Sequence, residues 1–307
     1  MFSLKAKSDS DKSAGITLSN TGIALAIVKH SHPLATLEFS HYYPCTPSDQ
    51  VEQLSQLVKQ YKLDAISCNL VLLAEDYQLL QVDAPEVPKQ DLTAALRWQI
   101  KDLIDFHIDD AVIDHIEMLN QNTSGKQQLL VVTSRQSVIQ AHVDLLQSTN
   151  CNLTTIDIAL QSARNILCQY PNLEPSVGIL NLWTDASKIS VMLNQDIYIN
   201  RTSSIGLQSL QFVTDEDITS QSILDSLALE LQRTFDYFES HSRQASLSKL
   251  FIITNGEPVH NLDQMIQERL GIDCVNVDIA DIVTINSNEQ VDNNCIIAIG
   301  GALRSAS

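Results

Sequence analysis

The residues whose types and spacing could do chemistry are few and scattered. His30 and His32 form an H-x-H pair, which on a strand would project both imidazoles to one face and could hold a metal. They precede Pro33, and no cysteine or third histidine lies near them, so a loop without metal is the expectation. Asp105, Asp109 and Asp110 gather three carboxylates, in principle enough for a divalent cation. The stretch lacks the glycine and ligand spacing of a calcium loop, so a solvated edge is expected. Ser124-Gly125-Lys126 has the ending of a phosphate-binding loop, but Asn120 stands where the opening glycine belongs and Gln127 where Ser or Thr should follow. No G-x-S-x-G occurs and no cysteine has a histidine partner by motif, so covalent catalysis has no support.

Two further groups suit a ligand. Glu230, Arg233 and Tyr237 have i, i+3, i+7 spacing, which puts a carboxylate, a cation and a phenol on one helix face. Such a face either contacts a polar ligand or is solvated and closed by an intrahelical ion pair; spacing leaves both open. Thr254-Asn255-Gly256-Glu257-Pro258 falls between a predicted strand and a predicted helix. Gly256 would let backbone N–H groups approach an anion, but Glu257 adds charge of the wrong sign, so a plain helix start is expected.

Composition narrows the classes. The chain has 307 residues, 44% hydrophobic and 18% charged, with a formal net charge of −18. That is globular composition, long enough for a substantial core. The charge repels phosphate backbones and no basic patch offsets it, so no nucleic-acid partner is expected. Six cysteines without a C-x-x-C read as reduced core thiols of a cytoplasmic protein. No apolar run approaches the roughly 20 residues of a membrane span.

The elements that must position these groups follow from periodicity. A strand–turn–strand pattern at Ala14–Val28 recurs at Val177–Val191, with Ile16-Thr17-Leu18-Ser19 matching Leu180-Asn181-Leu182-Trp183. One hairpin used twice in a chain of this length is the layout of two related α/β lobes facing a cleft. Residues 1–13 are expected as a mobile tail. Val51, Leu54, Leu57 and Val58 predict a helix over 48–61, and Leu92, Ala95, Leu96, Ile100 and Leu103 a helix after Pro88. Strands near 111–119 and 128–133, a helix at 135–147 and a strand at 153–157 are expected to complete a compact inserted unit. Leu224, Leu227, Leu231, Phe235 and Phe238 form the stripe of the longest helix, and a last helix spans 294–304.

This layout, the phrase DYQLLQVDAPEVPKQDLTAALRWQIKDLIDFHIDDAVIDHIEML, the helix LELQRTFDYFESH and the closing IIAIGGALRSA together resemble the PilM family of actin-like pilus-assembly proteins. The resemblance implies an α/β, actin-like (ribonuclease H-like) two-lobed fold with a small inserted α/β subdomain. The implied division is 1–75 first lobe, 76–157 insert, 158–175 return helix, 176–285 second lobe and 286–307 closing helix. In this fold each hairpin turn normally supplies an Asp for metal and phosphate, followed by a Gly; here those positions read Thr17 and Ser19, then Asn181 and Trp183. The resemblance therefore implies a degenerate nucleotide cleft at Ser19, Asn20, Asn181, Thr184, Glu230, Arg233 and Gly256, with residual ATP or ADP binding but no turnover and no metal. It also implies a non-catalytic scaffold at the inner face of the inner membrane, serving a type IV pilus of the MSHA kind. The expected partner is the cytoplasmic N-terminal peptide of a bitopic pilus-platform protein, bound near Tyr77–Ile104, with the pilus assembly ATPase as a second partner and the membrane reached only through the first. The alternative is an actin-like ATPase driving or regulating assembly.

Overall fold

Apolar residues on both faces of the first hairpin commit it to the centre of a sheet rather than to a surface. The computed structural model describes residues 2–3, 11–121, 125–211, 218–242, 247–286 and 290–304. In chain order the elements are β1 (Phe2–Ser3), β2 (Lys12–Ser19), β3 (Gly22–Lys29), β4 (Thr36–Pro44), α1 (Gln50–Tyr61), β5 (Ser67–Leu72), β6 (Gln78–Asp83), α2 (Leu92–Ile100), β7 (Ala111–Gln121), β8 (Gln127–Arg135), α3 (Gln136–Ser148), β9 (Leu153–Ile158) and α4 (Ala159–Leu167). They continue with β10 (Ser176–Leu182), β11 (Ser187–Leu193), β12 (Asp196–Ser203), α5 (Leu207–Leu210), α6 (Ile218–Ser242), β13 (Lys249–Thr254), α7 (Leu262–Leu270), β14 (Asp273–Asn276), β15 (Thr284–Ile285) and α8 (Ile296–Ala302).

Two sheets share one plan. The first has strand order β1-β9-β5-β2-β3-β4-β15 and the second β12-β11-β10-β13-β14. In each, an antiparallel meander (β2-β3-β4, then β10-β11-β12) is extended by parallel strands (β5 and β9, then β13 and β14). The chain divides into two compact units, Met1–Ile166 with Val283–Ser307, and Leu167–Ile282.

The first unit holds the seven-stranded sheet and the three-stranded sheet β6-β8-β7. One face of the small sheet is covered by α2, whose Leu96 and Ile100 pack with Val82, Ala111, Ile113, Leu129 and Val131. The strand at 153–157 corrects the sequence reading: β9 pairs in parallel with β5 and so belongs to the large sheet, not to the insert. Parallel pairing needs a long crossover, and everything from β6 to α3 is that crossover. Leu103 and Val51 are corrections too, 58% and 47% exposed, the former beyond the end of α2. Of the expected tail, Phe2–Ser3 forms β1 against β9, while residues 1 and 4–10 lie outside the described residues, as does Ser124.

The helix α8 is buried all round, and it lies on β2 at a distance that only glycine allows. A Cβ on Gly15 would collide with the Ala298 carbonyl, and one on Gly300 with Ser162. The last carbonyls of a helix lack internal partners. Here Ser13 Oγ donates to Ala302 C=O at 2.5 Å, Asn69 Nδ2 to Gly301 C=O at 2.9 Å and Asn165 Nδ2 to Gly300 C=O at 3.1 Å. Just past α8, Arg304 pairs with the buried Asp157 of β9 at 3.1 Å.

In the second unit the α6 stripe is as expected: Leu224, Leu227, Leu231, Phe235 and Phe238 are buried with Leu180, Val191 and Leu250 of the sheet. At about 1.5–3 kcal/mol per fully buried large side chain, this stripe is the principal fastening of α6.

The Asp157–Arg304 pair yields a test. Burial pushes the Asp157 carboxyl above the ordinary carboxylate range, and Arg304 is the chief influence in the other direction. Arg304→Gln should cost about 3–5 kcal/mol at neutral pH by leaving a buried carboxylate unpaired. A raised native pKa means that the carboxyl's contribution to stability is recovered as pH falls, because the neutral acid is what burial favours. Urea unfolding should therefore show a smaller loss under mildly acidic conditions than at neutrality; an equal loss at both would refute this account.

Candidate functional site

In the second unit β10 and β11 pair from Ser176 opposite Leu193 to Leu182 opposite Ser187, leaving Trp183–Ala186 as the turn. The turn closes on itself, with Trp183 N–H donating to Ala186 C=O at 3.0 Å. Leu207 N–H and Gln208 N–H, at the start of α5, donate to the carbonyls of Trp183 at 2.7 Å and Thr184 at 2.9 Å. Gly206 permits this approach, since a Cβ there would strike the Thr184 carbonyl and the Ala186 nitrogen.

Asn181 is 3% exposed, and its Oδ1 accepts from Asn255 Nδ2 at 2.6 Å. Asn255 Nδ2 also lies 2.8 Å from Leu182 C=O, so the two amides tie β10 to the segment leaving β13. Gly256 follows with φ +128°, a conformation that favours glycine, and turns the chain.

The first-unit turn is equally self-contained. Ser19 pairs with Gly22 across it, and Ser19 Oγ accepts the Gly22 N–H at 3.1 Å. Ser19 C=O accepts from Gln50 Nε2 at 2.7 Å. Asn20 is exposed at the tip, and Thr17 is buried within β2.

Glu230 and Arg233 of α6 do come together, on an open polar pocket of about 720 Å³ shared with Asp185, Ile189, Arg201, Ser203 and Thr234. Among the described residues neither Glu230 nor Arg233 has an ion-pair partner, so the face is not closed by an intrahelical pair. The Arg201 guanidinium lies 5.1 Å from the Tyr237 ring centroid. Sequence reasoning missed Asp185 and Arg201. The turn position of Asp185 was a usable signal; Arg201 had none, because only β-pairing carries it beside α6. No group of three His, Cys, Asp or Glu among the described residues could hold a metal. His30 instead contacts Ser13 Oγ at 2.7 Å, with its pKa lowered by burial, while Asp105 pairs with Arg135 at 3.8 Å.

A second site lies in the first unit and was not anticipated at these residues. It is an apolar groove of about 270 Å³ between β9 and the face of the small sheet opposite α2. Val112, Asp114 and Ile116 alternate along β7 and pair with Ser134, Val132 and Leu130 of β8, so one face of the pleat points into it. Ile139 of α3, Leu72 of β5, and Ile156 and Ile158 of β9 complete the apolar wall. Its polar groups are largely committed: Asp157 accepts Ile158 N–H at 2.8 Å and Arg304, and Ser134 Oγ donates to Asp76 C=O at 2.6 Å. Burial lowers the pKa of His115, favouring the neutral ring. None of Tyr77–Ile104 lines this groove. Trp98 is instead 72% exposed, with Lys101 Nζ 4.4 Å from the centre of its ring.

Comparisons agree with this architecture. The structure of a PilM–PilN type IV pilus biogenesis complex is similar to this chain with a TM-score of 0.73 at 16% identity, over 95% of this chain and 97% of that one. The cytoplasmic domain of EpsL, an inner-membrane component of the type II secretion system of Vibrio cholerae, matches with a TM-score of 0.50 at 14% identity, over 84% and 94%. The ethanolamine utilization protein EutJ from Carboxydothermus hydrogenoformans matches with 0.50 at 7% identity, over 98% and 91%. The fold is thus actin-like. No curated protein sequence matches the chain. The family model for type IV pilus assembly protein PilM matches residues 47–221, a span running from α1 through the groove-forming strands into α6, and the chain belongs to that family.

Proposed function

We propose that this protein is a non-catalytic scaffold of a type IV pilus platform, and that its groove at β7, β8, α3 and β9 takes the cytoplasmic N-terminal segment of a bitopic membrane protein. The observation that carries the reading is the groove itself, an apolar recess on an otherwise strongly acidic protein, in a family whose structural relative is a PilM–PilN complex. Cytoplasmic segments beside a membrane span carry an excess of Lys and Arg. A net charge of −18 would draw such a segment in, and the groove would then bury its apolar residues. Among the described residues no helix is long and apolar enough to cross a membrane, which fits attachment to the inner face of the inner membrane through that partner. Within the family we place the protein with the MSHA biogenesis protein MshI on the phrases between Asp76 and Leu119, and take the pilus assembly ATPase as a second partner.

The pocket at Glu230 and Arg233 supports weak ATP or ADP binding without turnover. Mg²⁺ is held mainly by carboxylates plus substrate phosphates. The turn positions offer the neutral Thr17 and Asn181, both buried, and Asn181 Oδ1 already accepts from Asn255 Nδ2. The residues present therefore do not fit a hydrolytic Mg-ATP site.

Two outcomes are expected. Ile116→Asp should weaken capture of the partner peptide by about tenfold or more, since an unpaired charge in an apolar recess costs over about 1.4 kcal/mol. Trp98→Ala, on the other side of the small sheet, should leave capture unchanged, with circular dichroism confirming both folds; the reverse pattern would move the site to α2. For the pocket, purified protein with Mg²⁺ and ATP should release no phosphate beyond the Glu230→Ala, Arg233→Ala control. Turnover present in the parent and lost in that control would favour the ATPase reading.

A further inference from the structure

The outer edge of β9 is occupied by the chain itself. β1 pairs with it antiparallel, Phe2 opposite Ile156 and Ser3 opposite Thr155, while the inner edge of β9 pairs in parallel with β5. The same strand contributes Ile156, Asp157 and Ile158 to the wall of the groove. A sheet edge exposes main-chain donors and acceptors that bind any extended segment, and neighbouring pockets then select its side chains.

We propose that the β9 edge is a strand-pairing seat for the extended partner segment, and that Phe2–Ser3 is a competing occupant that must leave before the segment is fully seated. This rests on the assignment of the groove to a partner segment. Among the described residues β1 pairs at Thr155 and Ile156 of β9, which spans Leu153–Ile158. An incoming segment that runs the length of β9 would need the two positions that Phe2 and Ser3 occupy. The self-contact belongs to the same chain as the edge it covers. Tethering gives it an effective concentration on the order of millimolar, so it discriminates against weak or short competitors. The opening sequence Met-Phe-Ser-Leu-Lys-Ala-Lys also has the chemistry ascribed to the partner, apolar residues followed by lysines.

The test uses the full chain with Phe2→Pro and Ser3→Pro, which removes both main-chain N–H donors of β1. The probe is a labelled synthetic peptide copying residues 1–8. Hydrogen exchange at amides 154–157 should be faster in the double variant than in the parent, and the peptide should restore protection. The peptide should bind the variant about tenfold more tightly than the parent, where the tethered copy competes. Exchange in α6 should be the same in both, showing that the fold is kept. Equal β9 exchange in parent and variant, or equal peptide affinity, would overturn the proposal even where Ile116→Asp abolishes partner capture. Conversely, β9 protection that depends on β1, together with capture indifferent to Ile116→Asp, would refute the groove while leaving the edge seat standing.

Discussion

The close seating of α8 on the first sheet is the constraint from which the first unit is built. Gly15 and Gly301 bring α8 against β2 and β5, and Gly300 brings it against α4, to separations no side chain would allow. Ser13, Asn69 and Asn165 then satisfy carbonyls that the helix end would otherwise bury unpaired. These partners come from β2, β5 and α4, elements far apart in sequence. The last part of the chain thereby fixes the relative placement of strands formed much earlier. The Arg304–Asp157 pair extends the same arrangement to β9 and so to one wall of the groove.

The two candidate sites differ in what remains available to a ligand. At the hairpin turns several groups have internal partners: Ser19 closes its own turn, Asn181 holds Asn255, and the amides at Leu207 and Gln208 hold turn carbonyls. The groove is the opposite case. Its polar groups are mostly committed, and what faces outward is apolar surface, which gains by being covered. A site of that kind is suited to binding a segment rather than to chemistry.

Charge completes the contrast. The pocket beside α6 keeps two carboxylates and two guanidinium groups in the open, where solvent screens them and each contributes little to stability. Asp157 is instead desolvated and depends on a single guanidinium. The first arrangement tolerates substitution; the second does not, because removing one partner strands a charge that burial has made costly.

Local periodicity determined much of this protein by itself. The repeated hairpin, the α6 stripe and the glycine pair of α8 were legible because each is written within a few turns or one strand pair, where side-chain spacing alone decides which face is apolar. Tertiary structure alone decided the rest. Leu153–Ile158 reads as a strand in sequence, but only pairing with β5 assigns it to the large sheet. Val51 and Leu103 fit a helical stripe and are nevertheless exposed, because burial depends on what packs opposite. The groove joins β5, β7, β8, α3 and β9, whose residues no spacing rule connects. Arg201 likewise reaches the Glu230 pocket only through the register of β11 and β12. Spacing along a chain reports which face a residue takes; which distant face it meets depends on strand order and crossover, and these are set by the competition of all the apolar surfaces at once.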